Sequence, residues 1–369
     1  MKNVLISGAG IAGPALAYWL HQYGFATTVV ERSRTRRLGG QAVDIRGAAL
    51  QVVERMGIGE TVRQARTRMR GMTLLDGDGN EVSRSTQATF SGGCLESDDV
   101  ELLRDDLAEY LYALSRSGTL YLFGDAITSV TEEAHGIHVT FKRAPPCVFD
   151  LVIGADGLHS QVRSLTFGSE HQFLASLGMQ TAVFSTDNFL ALDHWQIWLQ
   201  SGDAGYGIYP VRNNSELRVT LGFAADVTET GYRDVDQQKH RAAERLAHLG
   251  WKTPLLLDAM WKATDFYTDV MAQIHMPHWS QGRVALLGDA AYCASPLSGQ
   301  GTSLALVGAY VMASELAKSR HDHQSAFNRY EERMYPFVLR NQALATERPD
   351  QPASVAAIDL AKSAISIDE

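Results

Sequence analysis

The segment Lys2-Asn-Val-Leu-Ile-Ser-Gly8-Ala-Gly10-Ile-Ala-Gly13 decides the fold of this chain. Its apolar start predicts a buried parallel strand. A helical pattern over 11–23 and a second apolar run over 27–30 complete a strand–helix–strand unit. In such a unit the first glycine permits a tight turn, the second lets the backbone approach a pyrophosphate, and the third lets the helix pack closely on the strand.

Glu31 ends the second strand, where dinucleotide-binding folds carry an acidic residue about 20 residues beyond the glycines. A carboxylate there accepts hydrogen bonds from an adenosine ribose. A merely tight turn is the alternative, but the strand before the glycines, the helix after them and the acid favour dinucleotide binding. Glutamate at this position also disfavours a ribose 2′-phosphate, so the tightly bound nucleotide is not expected to be NADP.

Two further glycine-containing elements lie far along the chain. The first is Gly154-Ala-Asp-Gly-Leu-His-Ser-Gln-Val-Arg163, and the second is Gly288-Asp-Ala-Ala-Tyr-Cys-Ala-Ser-Pro-Leu-Ser-Gly-Gln-Gly301. The second lies between an apolar run, 284–287, and a helical pattern, 302–316. That order brings Asp289 near a polyol and bare backbone N–H groups near an anion. Nucleotide-binding elements at both ends of one domain imply a long cofactor with two ends, and FAD is the natural candidate.

Composition excludes several classes of protein. The chain has 369 residues, of which 45% are hydrophobic and 20% charged, and a net charge of −9. The acidic balance argues against nucleic acid or an anionic membrane as the main partner. Cys94, Cys147 and Cys293 have neither CxxC nor metal-ligand spacing, so we expect no disulfides, no metal site and a cytoplasmic location. The apolar run 4–20 resembles a signal peptide, but its ordered glycines favour a buried strand, turn and helix.

The patterns predict an α/β fold: a Rossmann-like FAD-binding domain with an inserted antiparallel-sheet substrate domain of α+β type and a C-terminal helix. Short alternating segments from about 173 to 275 predict the antiparallel sheet, and Asp76–Asn80 predicts a hairpin turn that belongs with it. We assign 1–72, 97–172 and 276–335 to the FAD-binding domain, 73–96 and 173–275 to the substrate-binding domain, and 336–369 to a C-terminal helical segment.

Helical periodicity predicts the connecting helices. Val100–Ser115 carries its leucines on one side, so it is predicted as one amphipathic helix. Another helix is predicted to begin near Ser160, and one over Asp234–Leu249 is predicted to pack on the antiparallel sheet. A long helix is predicted over 324–346 and a short terminal one over 353–366.

In order and spacing, the three glycine elements resemble those of the single-component FAD-dependent aromatic hydroxylases of the para-hydroxybenzoate hydroxylase type. The resemblance covers roughly residues 2–345. Within that family, Gly39–Gly47 and Tyr292–Gly301 look closest to the tetracycline-inactivating flavin monooxygenases, the tetracycline destructases. The resemblance implies that the residues which bind the cofactor are Gly8, Gly10, Gly13, Glu31, Arg32, Gln41, Arg46, Arg104, Asp156, Gly157, Gly288, Asp289, Pro296, Gly299 and Gly301.

The resemblance also implies a reaction. NAD(P)H reduces the flavin and leaves, dioxygen adds at flavin C4a to give a hydroperoxide, and an electron-rich polycyclic aromatic or enolic substrate takes up one oxygen atom. No catalytic His or Cys is expected. The backbone around Pro296, Gly299 and Gly301 is the candidate for stabilising developing charge.

Three activities remain open. Inactivation of tetracycline-type antibiotics is one, and hydroxylation during aromatic polyketide tailoring is the second. The third is a protein that holds FAD and sequesters a drug without turnover. The tail beyond the long helix is shorter than in tetracycline-inactivating relatives, which leaves substrate size and closure of the site open.

Candidate substrate residues are Gln180, Trp198, Tyr209 and Phe223, on segments predicted to form the antiparallel sheet. Aromatic side chains on strands more often pack in a core, which is the alternative interpretation. The basic loop Arg32–Arg37 is either a solvated charge run or a landing site for the phosphates of NADPH.

Overall fold

The computed structural model describes residues 2–36, 39–225, 234–347 and 353–368. Its strands, in chain order, are β1 (Asn3–Ser7), β2 (Ala26–Glu31), β3 (Ala42–Ile45), β4 (Gly71–Leu75), β5 (Glu81–Ser85), β6 (Ala88–Thr89), β7 (Gly93–Cys94), β8 (Val100–Leu103), β9 (Thr119–Phe123), β10 (Ile127–Glu133), β11 (Gly136–Phe141), β12 (Cys147–Phe149), β13 (Leu151–Gly154), β14 (Leu174–Asp187), β15 (Trp195–Ser201), β16 (Ala204–Val211), β17 (Glu216–Ala224), β18 (Tyr267–Ile274), β19 (Ser280–Gln281) and β20 (Val284–Leu286). Its helices are α1 (Ala12–Gln22), α2 (Ala48–Arg55), α3 (Gly59–Gln64), α4 (Arg104–Ser115), α5 (Gln161–Thr166), α6 (Val235–Leu246), α7 (Thr253–Lys262), α8 (Asp289–Tyr292), α9 (Gly301–Lys318), α10 (His323–Ala343) and α11 (Val355–Lys362).

A six-stranded sheet carries the three glycine elements. Its order is β19-β20-β13-β1-β2-β9, and only the short β19 runs antiparallel to its neighbour. The central strands are buried on both faces, which explains the continuous apolar runs Val4–Ile6 and Leu151–Ile153. Helices α1, α9 and α10 and an antiparallel sheet of β10, β11 and β12 contribute buried side chains to the same core.

A seven-stranded sheet forms the second layer, in the order β18-β14-β17-β16-β15-β4-β5. All its neighbours are antiparallel except β15 and β4. Helices α6 and α7 cover one face and form a separate core with it. Strands β4 and β5 flank the predicted turn Asp76–Asn80 and join this sheet from far away in sequence, whereas the domain bounds themselves stay a prediction.

Two sequence-based expectations about helices need correction. The predicted helix Val100–Ser115 is wrong at its start, because Val100–Leu103 pairs antiparallel with β3 and the helix begins at Arg104. A segment of four residues is too short to show a decisive period, so its pairing partner determines its conformation. Helix α7 was not predicted at all, although Pro254 in its first turn is a typical start signal.

None of the helices within the described ranges is long and apolar enough to cross a membrane.

Glu315 fastens α10 to α9. Its carboxylate is 2% exposed and pairs with Lys318 (2.9 Å), Arg329 (3.0 Å) and Arg333 (2.8 Å). Burial alone would raise the pKa of Glu315, but hydrogen bonds from Lys318, Arg333 and Arg329 hold it below its ordinary value. A carboxyl with a lowered pKa stabilises the folded state above its unfolded pKa, and the contribution disappears as pH falls through the folded pKa.

We therefore expect Glu315→Gln to lower the free energy of unfolding by about 1–3 kcal/mol at pH 7, since three cations lose their charged partner. Urea denaturation measures this loss, and the loss should shrink as the pH approaches the folded pKa. Glu332→Gln, at an exposed position on α10, is the control and should change little. An equal loss at neutral and acidic pH would contradict the charge argument.

Candidate active site

A cleft of about 2080 Å³ lies between the carboxyl ends of the parallel strands and the open face of the seven-stranded sheet. Open α/β sheets bind their ligands at this edge. The volume exceeds the roughly 300–1,000 Å³ of an ordinary small-molecule pocket. The cleft can therefore hold a dinucleotide together with a second molecule.

The three glycines of the first turn serve different purposes. Gly8 has φ +106°, and a Cβ there would lie 2.4 Å from the carbonyl oxygen of Ala155. A Cβ on Gly13 would lie 1.9 Å from the Gly8 carbonyl oxygen. Gly10 differs, because the nearest atom to its Cβ position is Arg104 Nη2, 3.9 Å away. The protein itself requires glycine at 8 and 13, whereas at Gly10 it leaves a cradle open to the cleft.

Glu31 is held at the edge of this cleft by its own chain. The backbone N–H of Ala9 donates to Oε2 (2.9 Å), and that of Ser33 donates to Oε1 (2.8 Å). Each oxygen keeps a further lone pair. The carboxylate is thus fixed in place and can still accept hydrogen bonds from ribose hydroxyls.

In the second element, the Asp156 carboxylate points into the protein. A carboxylate that binds the cofactor would be expected to point into the cleft. Asp156 accepts from Ser160 Oγ (2.5 Å) and Ser7 Oγ (3.1 Å), and from the backbone N–H groups of Gln161 (3.1 Å) and Val162 (3.2 Å). Burial raises the pKa of Asp156, and these hydrogen bonds oppose the rise. Asp156 lines the cleft, but its carboxylate is used to tie the loop to β1 and to the start of α5.

Arg163 joins the second element to the third. Its side chain is fully buried, and its guanidinium donates to the carbonyls of Ala290 (2.9 Å) and Leu158 (2.6 Å) and pairs with Glu170 (2.9 Å). Burial lowers the pKa of Arg163, while Glu170 and Asp156 raise it. The guanidinium therefore has a structural role behind the cleft.

His159 lies within the second element, and its ring joins that element to two carboxylates. Its ring nitrogens lie 2.9 Å from Glu170 Oε1 and 3.0 Å from Asp269 Oδ1. Hydrogen bonds to Asp269 and then Glu170 raise the pKa of His159 to about 10. The imidazolium stays charged at neutral pH and fastens the loop of the second element to β18 of the other sheet.

The third element faces the cleft with its carboxylate and its glycines. Asp289, the first residue of α8, lines the cleft, where desolvation raises its pKa while Cys293 and the charge of Arg104 oppose the rise. Pro296–Ser298 forms a 3₁₀ turn, and Gly299 follows with φ +61°. A Cβ on Gly299 would lie 3.5 Å from Arg46 Nη2, so this loop and the β3 segment meet in the cleft.

Most predicted cofactor residues come together here. Those that line the cleft are Gly8, Gly10, Glu31, Arg32, Gln41, Arg46, Arg104, Asp156, Gly157, Asp289, Pro296, Gly299 and Gly301. Gly13 and Gly288 do not line it. Gly13 packs on Gly8, and a Cβ on Gly288 would lie 3.2 Å from Cβ of Ala12. The open cradle, the fixed acid at one end and the acid beside a glycine loop at the other fit the two-ended cofactor FAD.

The candidate substrate residues divide between the two faces of the seven-stranded sheet. Trp198 and Tyr209 lie on the cleft face. Tyr209 is only 1% exposed, and its hydroxyl accepts a hydrogen bond from the Ala42 N–H (2.8 Å), so it also braces β3 against the sheet.

Gln180 and Phe223 do not line the cleft, which corrects the expectation for these two. They pair across β14 and β17, Phe223 is fully buried in the core under α6 and α7, and Gln180 donates to Thr268 Oγ1 (2.8 Å). Side chains alternate along a strand, so Thr181 and Thr220 reach the cleft instead.

Helix α11 contributes to the lining of the cleft, a role that the sequence left open. Val355, Ile358 and Lys362 line it. Lys362 Nζ lies 3.1 Å from Asp99 Oδ2, which joins the C-terminal segment to the chain before β8. A short tail can therefore still cover the site.

In the basic loop after β2, at least one arginine makes contacts within the protein. The guanidinium of Arg36 lies over the Tyr112 ring, 4.3 Å from its centroid, and pairs with Glu109. Arg32 lines the cleft. Arg37 lies outside the described residues, and the use of this loop by NADPH stays a prediction.

Comparisons with known proteins show the family of this chain. A family model described as FAD binding domain matches residues 1–343. An uncharacterized protein of Mycobacterium tuberculosis (strain ATCC 25618 / H37Rv) is 49% identical over 347 residues, covering 94% of this chain and 93% of that protein. A flavin-dependent monooxygenase of an unknown prokaryotic organism is 40% identical over 342 residues, covering 93% and 88%. The crystal structure of tetracycline destructase Tet(51) is 33% identical, with a TM-score of 0.90 and 100% of both chains covered.

These matches and the cleft define a flavoprotein oxygenase. The chain belongs to the FAD-binding-domain family and is an FAD-dependent monooxygenase. Its cofactor is FAD, and NAD(P)H is the donor typical of the family.

The cradle at Gly10 gives a test of how the cofactor is bound. Gly10→Ala should leave the fold intact, because its Cβ meets no protein atom closer than 3.9 Å. It should weaken FAD binding to the apoprotein about tenfold or more, equivalent to about 1.4 kcal/mol, since the methyl group occupies pyrophosphate space. Fluorescence titration with FAD measures the loss.

Gly222→Ala is the matched control on the opposite wall of the cleft, with 3.8 Å to Met179 Cε. It should keep wild-type FAD affinity. Unchanged affinity in Gly10→Ala would show that the pyrophosphate does not lie against this turn.

Proposed function

We propose that this monooxygenase uses NAD(P)H and O₂ to hydroxylate a polycyclic aromatic or enolic substrate, and that tetracycline-type antibiotics are within its substrate class. One oxygen atom enters the substrate and the other leaves as water, while NAD(P)H gives a hydride and solvent a proton. The bound FAD supplies electron transfer and oxygen activation. The chain's own residues bind the two molecules, exclude water and orient the substrate.

The observation that carries the proposal is the wall opposite the cofactor elements. The sheet presents broad side chains to the cleft, among them Trp198, Met72 and Leu74 on β15 and β4, and the glycines Gly205 and Gly222 on the next two strands, β16 and β17. A broad apolar wall that is open at Gly222 suits a rigid fused-ring molecule better than a flexible chain. Thr181 and Thr220 add hydroxyls for oriented hydrogen bonds.

The substrate space faces the loop Pro296–Gly301, next to which Asp289 and Arg46 lie. Backbone N–H groups at the start of α9 follow this loop directly. Such fixed donors stabilise negative charge that develops nearby. Helix α11 borders the cleft, and with the sheet and the cofactor elements it would limit the access of bulk water during the reaction.

The similarity to a tetracycline destructase structure supports the antibiotic substrate class. A hydroxylase that tailors aromatic polyketides uses the same wall and the same loop, so it is the second candidate. Its substrates share the fused aromatic and enolic rings that the glycine-lined wall suits.

The direct experiment combines substrate-dependent NAD(P)H oxidation with mass spectrometry under ¹⁸O₂. A panel of tetracyclines and hydroxylated anthraquinones should contain compounds that stimulate NAD(P)H oxidation and gain one labelled oxygen. Label appearing only in hydrogen peroxide would contradict oxygenation of that compound. Binding of the whole panel without any NAD(P)H oxidation would favour sequestration over catalysis.

Two tryptophans of one strand test the substrate wall. Trp198 lies on the cleft face, and Trp195 lies on the other face and donates to Thr73 Oγ1 (2.9 Å). Trp198→Leu should raise the substrate KM about three- to tenfold, as expected from the loss of about 0.5–1.5 kcal/mol of ring contact. Trp195→Leu is the control and should leave KM within about twofold while lowering thermal stability. Equal effects on KM would contradict the assignment of the faces.

A further inference from the structure

Three buried charged side chains form a cluster where β3 and β8 meet the cleft. Asp44 is 7% exposed, Arg46 is 4% exposed and Glu101 is 8% exposed. Arg46 Nη2 lies 2.9 Å from Asp44 Oδ2, and Thr67 Oγ1 donates to Glu101 Oε2. Arg46 thus pairs with Asp44, whereas burial raises the pKa of Glu101 and the charge of Arg46 opposes that rise.

The cluster has unused hydrogen-bonding capacity. Asp44 Oδ1 and Glu101 Oε1 have no hydrogen-bond partner among the described residues. A second uncompensated negative charge in a buried site is costly unless it is neutralised. The cluster is consequently suited to hold one proton, or a donor group of a ligand, on its carboxyl oxygens.

Asp44 is the carboxyl of this cluster that borders the cleft, although its Oδ1 is itself buried and its Oδ2 is paired with Arg46. It lines the cleft together with Arg46, Ser91 and Trp198, whereas Glu101 lies behind them. Asp44 Oδ2 is 3.7 Å from the Cβ position of Gly299, in the loop that the cofactor ring is expected to border. A substrate between that loop and the sheet would lie beside Asp44.

The surroundings tune the proton affinity of this carboxyl toward neutral pH. Burial raises the pKa of Asp44 to about 8, Arg46 opposes the rise, and Glu101 and Asp99 add to it. The other charges around the cluster are Lys362 of α11, which pairs with Asp99, and Arg66 near Glu101. A base of this strength is well matched to a phenol or enol.

We propose that Asp44 is the general base that removes the proton from an acidic hydroxyl of the substrate. The substrate O–H bond breaks, a new O–H bond forms on Asp44, and the electron pair stays on the substrate oxygen, which makes the ring more electron-rich. The proton returns to solvent through the cleft when product leaves. Arg46 orients the carboxylate, and Glu101 is a positioning residue that sets its proton affinity. This inference rests on the proposed function and assigns its phenol or enol a partner.

The proton itself is measured by infrared difference titration of the oxidised, FAD-loaded protein without NAD(P)H. Wild type should lose a protonated-carboxyl band as pH rises through about 8. Asp44→Asn should lack this band. Asp203→Asn, at an exposed carboxylate elsewhere in the cleft, should keep it. A band that survives in Asp44→Asn would overturn the assignment.

The catalytic role is tested with the hydroxylated polycycle that best stimulates NAD(P)H oxidation and with a nitro-substituted analogue whose hydroxyl is more acidic. For the parent compound, kcat/KM of wild type should rise with pH toward the Asp44 pKa. Asp44→Asn should lose about 10²-fold or more at high pH. The deficit should shrink at least tenfold with the analogue, which is already ionised. A purely structural role would reduce both substrates equally.

Glu101→Gln provides an independent check, because it removes a charge that raises the Asp44 pKa. The infrared band and the kcat/KM limb should both move to lower pH. A shift to higher pH or no shift would overturn the proposal, even if Asp44→Asn fails to fold. If no polycycle is oxygenated, the proposed function fails, while the infrared titration still decides whether Asp44 carries the proton.

Discussion

At the carboxyl ends of β1 and β13, backbone meets backbone with no room for a side chain. The position of a Gly8 Cβ lies 2.4 Å from the Ala155 carbonyl oxygen, and that of a Gly13 Cβ lies 1.9 Å from the Gly8 carbonyl oxygen. This contact brings the first glycine turn and the second element together, and Arg163 then connects the second element to Ala290 after β20. The three cofactor elements are distant in sequence, so the geometry of the whole site depends on this close packing. Gly10 is not packed against the backbone in this way. Its Cβ position faces the cleft, where a cofactor phosphate can approach the turn.

Because side chains alternate along each strand, the two faces of the seven-stranded sheet have different roles. One face carries the core under α6 and α7, and the other forms the wall of the cleft. A substitution at Phe223 should therefore lower the stability of the fold, whereas one at Trp198 should alter substrate binding. The carboxyl groups divide in a similar way. Asp156 accepts hydrogen bonds from its own loop and from Ser7, Asp289 faces the cleft, and Asp44 keeps one oxygen without a hydrogen-bond partner among the described residues.

The sequence predicts those features of the fold and site that depend on residues close together in the chain. The glycine turn was predictable because close packing and phosphate approach both require absent side chains at fixed spacing. The two faces of the long strand β14 were not, because alternation is read only once the covering helices are known, and this led to Gln180 being placed on the wrong face. Val100–Leu103 was taken for helix because its strand partner, β3, lies nearly 60 residues earlier. The His159 ion pairs join Glu170 and Asp269 across two sheets, so no local pattern could reveal them.

We expect FAD to extend through the cleft from the Gly10 cradle to the Pro296–Gly301 loop. The substrate should then lie between the flavin ring and the open face of the sheet. A crystal structure of the protein with FAD and a bound polycyclic ligand tests this most directly. The pyrophosphate should lie at Gly10, the ribityl chain near Asp289, and the ligand between Trp198 and the flavin. A ligand bound outside this space, or a flavin ring directed away from the Pro296–Gly301 loop, would contradict it.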